Sequence, residues 1–494
     1  MFTGPAELQQ TALLLTVLGF LVAGSAIFSR QIDRLGIPVV LLFLVLGMLG
    51  GSEGIGGIAF ESYGLAVRVG TVYLVLILFE GGMNTSMAAV RRVILPSGLL
   101  ATIGVAATAG LLACFARLLG LSWNEALVLG AVVSSTDAAA VLAVLRGGGL
   151  NLRPRVGDTL EVESCINDPM AVILTVAMVQ VAVDPAALGW SLLWNIPLQL
   201  VVGAAAGSLL GAAGRRVIPR VAPATIGLYP ALTLAIAFLS FGIATLLRGS
   251  GLLSVYMTGL VLGSAVLPYR AGLDRIHNAV AWLSQVGLFL MFGLLIFPSR
   301  LVPVAGIGLA IGLFLAFVAR PVAVWLCLLP FNYSRAEKLY VAWIGLRGAV
   351  PIILAAFPVL SQVNGADRIF NIVFFIVVVS TILPGATIRP VTRWLRQATP
   401  EAPRPSALLE INSAHPLEGE IASFFIEPEA AVCGVPLSQI TLPTNAAVML
   451  VVRDNNLLAA RGPTVLQPGD HAFVYFPPSD RPYIELLFGH AERR

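Results

Sequence analysis

The run ESCINDPMAV, Glu163 to Val172, carries two carboxylates, a hydroxyl and an amide into a segment whose flanks are apolar. On a helix turning about 100° per residue, Glu163, Ser164, Asn167 and Asp168 fall within an arc of roughly 140°, which makes one polar stripe. Asp168 lies about 16 Å along that stretch, near the middle of a bilayer if the segment spans one. An ionisable residue at that depth is costly and is by default a functional candidate. Pro169 follows it and has no N–H to donate, which loosens the turn and frees a carbonyl. Three more ionisable residues interrupt apolar runs: Asp137 in SSTD, Arg347 in GLRGAVP and Glu80 in LFEGG. Acids outnumber the arginine, and an acidic, partly hydrated pocket suits a cation. Hard cations take oxygen ligands, and carboxylates, hydroxyls and unwound carbonyls are all on offer here. The same carboxylate binds a proton. Burial favours its neutral form, and a bound Na⁺ or K⁺ favours the charged form. Two cations competing for Asp168 are thereby coupled. If the empty, charged site cannot cross the membrane alone, obligatory exchange follows.

The elements that must position these groups are membrane helices. The chain is 57% hydrophobic and only 11% charged, against about 25% charged in soluble proteins. Its mean hydropathy is +0.90. Thirteen apolar stretches recur, at roughly 10–28, 37–51, 64–82, 94–118, 124–146, 157–182, 190–214, 228–247, 250–267, 277–297, 301–329, 339–362 and 369–391. Most are near 20 residues long, enough to cross about 30 Å of hydrocarbon. Alternate loops collect the basic residues: Arg30 and Arg34; Arg91 and Arg92; Arg146, Arg153 and Arg155; Arg215, Arg216 and Arg220; Arg270 and Arg275; Arg335 and Lys338. The opposite loops hold Arg248, Arg300 and Arg368, with Arg68 near a helix start. Basic loops stay cytoplasmic, so the N-terminus is expected outside and the C-terminus inside, in the cell inner (plasma) membrane. The first span has Glu7 before it and its arginines after it, unlike a cleaved signal.

Two spans are chemically interrupted: the fifth by SSTD (134–137) and the twelfth by GLRGAVP (345–351). Unwound backbone at membrane depth is tolerated only when buried in protein or lining a cavity. Lying seven apart, the two run in opposite directions. Paired interrupted helices of opposite sense mark an inverted-repeat transporter with its site at the crossing, here spans 1–6 and 8–13 joined by span 7. Gly203, Gly207 and Gly211 in span 7 allow close helix packing. The fold class expected is therefore an all-α polytopic membrane protein over 1–396, with thirteen transmembrane helices and two broken crossing helices. A Pro-rich linker over 397–414 follows. Strand-like runs at 421–427, 446–452 and 471–476 and a helical DRPYIELLFGHA then form a small cytoplasmic α+β domain over 415–494.

Together ESCINDP, SSTDAAA and GLRGAVP resemble the cation:proton antiporter-1 family, of NhaP and NHE type, across the whole membrane part. ILFEGGMNTS, GSGLLSVYMTGLVLG and WLSQVGLFLMFGLLIFPS are similar to its bacterial potassium/proton branch. The resemblance implies that Asp168 carries the cation and the proton. Asn167 stands where electrogenic relatives have a second aspartate, which implies one-for-one, electroneutral exchange. Ser164, Thr136 and Asp137 would complete the ion site, so the transported K⁺ or Na⁺ would meet Asp168, Asp137, Ser164 and Thr136. Glu163 would pair with Arg347 as a structural ion pair, and Glu80 matches an acid that some archaeal members bring to the ion. Thirteen spans, a mobile core of spans 4–6 and 11–13, a dimerising domain and elevator-like alternating access come with the family. Ala138 replaces the proline that many members have after the TD pair. The C-terminal piece resembles the C-terminal half of the regulator of potassium conductance domain (RCK_C), also called TrkA-C, through Gly434-Val-Pro-Leu437, Arg453, Gly462, Leu466 and Pro468-Gly469-Asp470. That module usually pairs in dimers and can bind a small anionic or nucleotide effector.

Other readings compete at each position. Asp168 could be a buried carboxylate satisfied by hydroxyls. Asp137 could cap a half-helix, and Glu80 could snorkel to water. Glu163 and Arg347 could contact the ion directly. Cys114, Cys165, Cys327 and Cys433 show no CxxC spacing, so neither disulfide nor metal frame is expected. GGSEG (50–54) fits GxSxG, yet sits in a loop after a membrane helix rather than on a strand–turn–helix elbow. No usable enzyme constellation emerges, and a gated cation channel regulated by the C-terminal domain is the rival function, without a TVGYG-like filter. No resident cofactor and no nucleic acid are expected; the partners are membrane lipids and a second copy of the chain.

Overall fold

The computed structural model describes residues 39–147, 150–187, 189–221, 227–399, 419–454 and 456–489, with scattered positions between 12 and 24. Most of the expected first span and nearly all of the expected linker lie outside the described residues. Two compact units form, one of them containing the C-terminal stretch.

The larger unit is helical. Its elements in order are α1 (Val39–Gly50), α2 (Tyr63–Asn84), α3 (Met87–Leu118), α4 (Trp123–Val132), α5 (Ala138–Gly147), α6 (Pro154–Val183), α7 (Trp190–Val217), α8 (Leu228–Leu246), α9 (Gly251–Gly263), α10 (Arg270–Leu294), α11 (Pro298–Cys327), α12 (Arg335–Trp343), α13 (Val350–Leu360) and α14 (Ala366–Trp394). Among the described residues, eight helices are long and apolar enough to cross a membrane. Trp190, Trp194, Leu209, Leu239 and Leu246 point outward and are exposed. So much outward apolar surface fits a chain solvated by lipid.

Local chemistry sets where the helices start and bend. Ser122 and Ser334 open α4 and α12 with matching capping boxes, closed by Glu125 and Glu337. Each serine accepts from the third helical N–H while the glutamate reaches back, so two orphan donors are satisfied at once. Pro96 in α3 precedes a π-turn at Leu100–Gly104, and Pro321 in α11 follows one at Leu315–Ala319. Proline cannot donate to the ladder, and the helix takes up the defect nearby. Span 7 packs as its glycines suggest. A Cβ on Gly203 or Gly207 would run into the backbone of Ser250 or Ser254, and Thr258 Oγ1 donates to Gly207 O at 3.0 Å. Two short strands, β1 (Asn151–Leu152) and β2 (Ala398–Thr399), pair antiparallel and tie the entry of α6 to the residues after α14.

The C-terminal stretch forms β3 (Glu420–Phe425), β4 (Ala447–Arg453), β5 (Asn456–Ala459), β6 (His471–Phe476) and α15 (Arg481–Phe488). The strands order as β3-β6-β4-β5, all antiparallel. Alternate residues of β3 turn inward, so Phe424 meets Phe476 and Phe488 in a core that also holds Ile484 and Val451. Each such buried side chain contributes about 1.5–3 kcal/mol. β5 is the strand that the sequence pattern does not announce. It returns from a hairpin whose Asp454 has φ 45°, and its face is mostly exposed, so it lacks apolar alternation. Arg453 and Asp470 close the domain with a bidentate pair at 2.8 Å and 2.8 Å.

Candidate functional site

The helix from Trp123 ends at Val132, and the chain runs unwound to Asp137 before α5 begins. The helix from Arg335 ends at Trp343, and the chain runs unwound from Ile344 to Ala349 before α13 begins. These are the segments that SSTD and GLRGAVP mark in the sequence. They touch each other: the Asp137 N–H donates to Leu346 O at 2.8 Å. Residue 348 must be glycine there, because a Cβ would collide with the Asp137 carboxylate.

Arg347 holds this contact. Its Nη1 donates to Ser134 O at 2.6 Å and also to Ser135 O. These carbonyls lie just past the C-terminal end of α4, where helical carbonyls lack partners and the dipole is negative. The Arg347 N–H donates to Ser380 Oγ at 3.3 Å and Thr381 Oγ1 donates to Arg347 O at 3.4 Å, which fixes the unwound strand to α14. Asp137 turns its side chain back on α5, accepting from the Ala140 N–H at 3.0 Å. It is therefore a helix cap, and it also stands at the crossing.

From α6 the polar stripe faces these unwound strands. Ser164 Oγ accepts from the Ala138 N–H at 3.2 Å and donates to Thr136 O at 2.8 Å. Asn167 Nδ2 donates to Thr136 Oγ1 at 2.6 Å. Asp168 is half-buried, with the Ser135 side chain, Asp137 and Arg347 as its polar neighbours. Asp168, Asn167, Ser164, Thr136 and Asp137 thus come together at one place. Several buried polar atoms there have no hydrogen-bond partner in the protein: Asn167 Oδ1, Arg347 Nε and Arg347 Nη2. Buried polar groups are normally satisfied, so a polar guest such as water or an ion fits this spot. Among the described residues no three His, Cys, Asp or Glu side chains group to hold a metal. The oxygens here come from two carboxylates, hydroxyls and unwound carbonyls, the donor types that hard cations take.

Two expectations are corrected. Glu163 does not pair with Arg347. It is fully buried, and Arg320 of α11 grips it with Nη1–Oε1 at 2.6 Å and Nη2–Oε2 at 2.9 Å. The physical reason is that the carbonyls of Ser134 and Ser135 already hold Arg347, while the π-turn at Leu315–Ala319 immediately precedes Arg320. Arg347 is also not the sole arginine among apolar spans. Arg320 sits in LAFVARPVAVW, and reading that long run as one lipid-facing helix hides it; the Arg-Pro step was the available signal. With Glu163 matched by Arg320, Arg347 is left as the positive neighbour of Asp168. Glu80 is engaged on its own helix, accepting from Asn84 Nδ2.

A family model described as "Sodium/hydrogen exchanger, transmembrane" matches residues 17–394, and one described as "TrkA-C domain" matches residues 421–489. The chain is 38% identical over 485 residues to a K(+)/H(+) antiporter NhaP of Alkalimonas amylolytica, covering 97% of this chain and 84% of that protein. It is 38% identical to a K(+)/H(+) antiporter NhaP2 of Shewanella oneidensis, covering 91% and 79%. In fold it is similar to the sodium proton antiporter MjNhaP1 of Methanocaldococcus jannaschii, with a TM-score of 0.63 at 25% identity, covering 75% of this chain and 99% of that one.

Proposed function

Because the chain belongs to the sodium/hydrogen exchanger family and ends in a TrkA-C domain, we propose that it exchanges a monovalent cation for a proton by alternating access, both ions competing for Asp168. One observation supports the reading: Asp168 has Ser135 and Asp137 from one unwound strand and Arg347 from the other as its polar neighbours, while Ser164 and Asn167 of its own helix bond to Thr136. A proton neutralises Asp168 in one half-cycle. In the other, a dehydrated cation takes its place among the hydroxyls and the Thr136 carbonyl. Asn167 is neutral and donates to Thr136, so it puts no second carboxylate beside Asp168 on α6, and the exchange is one-for-one and electroneutral. Potassium is favoured over sodium, in line with the K(+)/H(+) names of the relatives from Alkalimonas amylolytica and Shewanella oneidensis.

The wider architecture belongs to the same proposal. Thirteen spans form two inverted repeats in the inner membrane, with the N-terminus outside and the C-terminus in the cytoplasm. The matching capping boxes of α4 and α12 support a repeat relation. A second copy completes a homodimer. The membrane part runs over 1–396, the linker over 397–414, and the TrkA-C-like domain over 415–494 regulates rather than performs exchange. Glu80, which accepts from Asn84, brings a further carboxylate to the ion. The test is proton flux in proteoliposomes with K⁺, Na⁺ and Li⁺ added in turn. The proposal expects an imposed pH gradient to collapse with K⁺ best, without dependence on membrane potential. Current governed by voltage would establish a channel instead.

A further inference from the structure

On α6, Glu161, Cys165 and Asp168 follow one another at i, i+4 and i+7, so they share a face two turns long. Glu161 is half-buried, about 10 Å from Asp168 along the helix axis and nearer the end that carries Arg153 and Arg155. Nothing in the site described above uses it. Across from it, Thr85 at the end of α2 brings Oγ1 to 2.7 Å from Glu161 Oε1 and to 2.7 Å from Gly81 O. A hydroxyl has one hydrogen, so it serves one of these acceptors at a time. When Glu161 is charged, Thr85 donates to it. When Glu161 is protonated, it donates to Thr85, whose hydrogen turns to Gly81 O. Either protonation state leaves every group satisfied.

A second observation points the same way. Tyr256 of α9 is 2% exposed and its hydroxyl makes no hydrogen bond, although it lies beside Thr85 and Cys165. Such an orphan invites a polar guest on this face. The charged and titratable groups around it are Glu80 from α2, Cys165 and Asp168 from α6, and Tyr256 from α9. One turn nearer the start of α6, Asp158 pairs with Arg92 of α3 at 3.3 Å.

Resting on the reading of Asp168 as the exchange site, we propose that Glu161, backed by Thr85 and Tyr256, is a second proton-carrying carboxylate on the route between Asp168 and the face bearing the basic loops. When a cation displaces the proton from Asp168 on that side, the Asp168 O–H bond breaks, water carries the proton across the roughly 10 Å along the helix, and an O–H bond forms on Glu161, which releases the proton to water on the basic-loop side. Charge is conserved, because one carboxylate is neutralised as the other ionises. Ionisable residues within membrane spans commonly build such relays.

The test is exchange in oriented proteoliposomes, with pH varied on one face at a time. Glu161→Gln is expected to keep a measurable maximal rate. Its pH profile on the basic-loop face shifts by about half a unit or more, roughly threefold in proton concentration, while the opposite face keeps the parental profile. Thr85→Val, which keeps shape and removes the hydroxyl, shifts the same face in the same direction, by less. Profiles in both variants that match the parent, or that move equally on both faces, overturn the relay. Asp168→Asn run alongside separates the claims: exchange retained there refutes the site reading itself, whereas an unmoved Glu161→Gln profile refutes only the relay.

Discussion

Breaking the Glu163–Arg320 pair tests what holds the helices of the site together. Both residues are buried, Glu163 at 0% and Arg320 at 4% exposure, and two short charge-assisted hydrogen bonds join them at 2.6 Å and 2.9 Å. Removing one partner strands the other charge in a low-dielectric interior, which costs about 3–5 kcal/mol. Replacing both by apolar side chains of similar volume removes the stranded charge and is often close to neutral. Glu163→Leu and Arg320→Met should therefore each destabilise by about 3–5 kcal/mol, while the double variant loses less than either single. The assay is a double-mutant cycle on denaturant unfolding in detergent. Arg347→Met combined with Glu163→Leu provides the contrast and should show little coupling, since Arg347 spends its hydrogen bonds on Ser134 O and Ser135 O. Additive losses for Glu163 and Arg320, or a larger coupling of Glu163 to Arg347, would show that Arg320 is not the partner of Glu163.

Three further outcomes follow from the geometry. Gly348→Ala drives a methyl into the Asp137 carboxylate; a displacement of about 1 Å at a reacting site can cost about a hundredfold in rate, so initial exchange rates should collapse while size-exclusion profiles stay parental. Arg347→Met removes the Nη1 that donates to both the Ser134 and Ser135 carbonyls, and thermal unfolding should report a loss of about 1–3 kcal/mol. Outside the spans, hydrogen bonds from the Ser299 N–H at 2.8 Å and its hydroxyl hold the Glu53 carboxyl below its ordinary value of 4.5. A depressed folded-state pKa stabilises above 4.5 and is lost as pH falls through the depressed value, so Glu53→Gln should melt below the parent at pH 7 and converge with it in acid.

Much of this site was legible because its departures from an apolar pattern are local in sequence. SSTD and GLRGAVP name the unwound strands, and ESCINDP names the helix face that meets them. Which arginine answers Glu163 was not legible. Arg320 lies far along the chain, in a run whose hydropathy is that of lipid-facing helix, and only the fold brings it to α6. Glu161 was hidden by its neighbour Glu163, since adjacent acids on one helix face different partners. In the C-terminal domain the buried strands β3, β4 and β6 announce themselves by apolar content. The exposed edge strand β5 does not, because its pairing is made by backbone and turn.

Mutual exclusion of a proton and a cation at Asp168 is the step on which the proposed exchange turns. It is tested most directly by the apparent KM for K⁺ as pH is lowered in proteoliposomes. Competition predicts that KM rises as pH falls, approaching about tenfold per pH unit where Asp168 is mostly protonated, with the maximal rate unchanged and no exchange in Asp168→Asn. A KM that stays flat across the same range, or proton flux driven by K⁺ in Asp168→Asn, would contradict it.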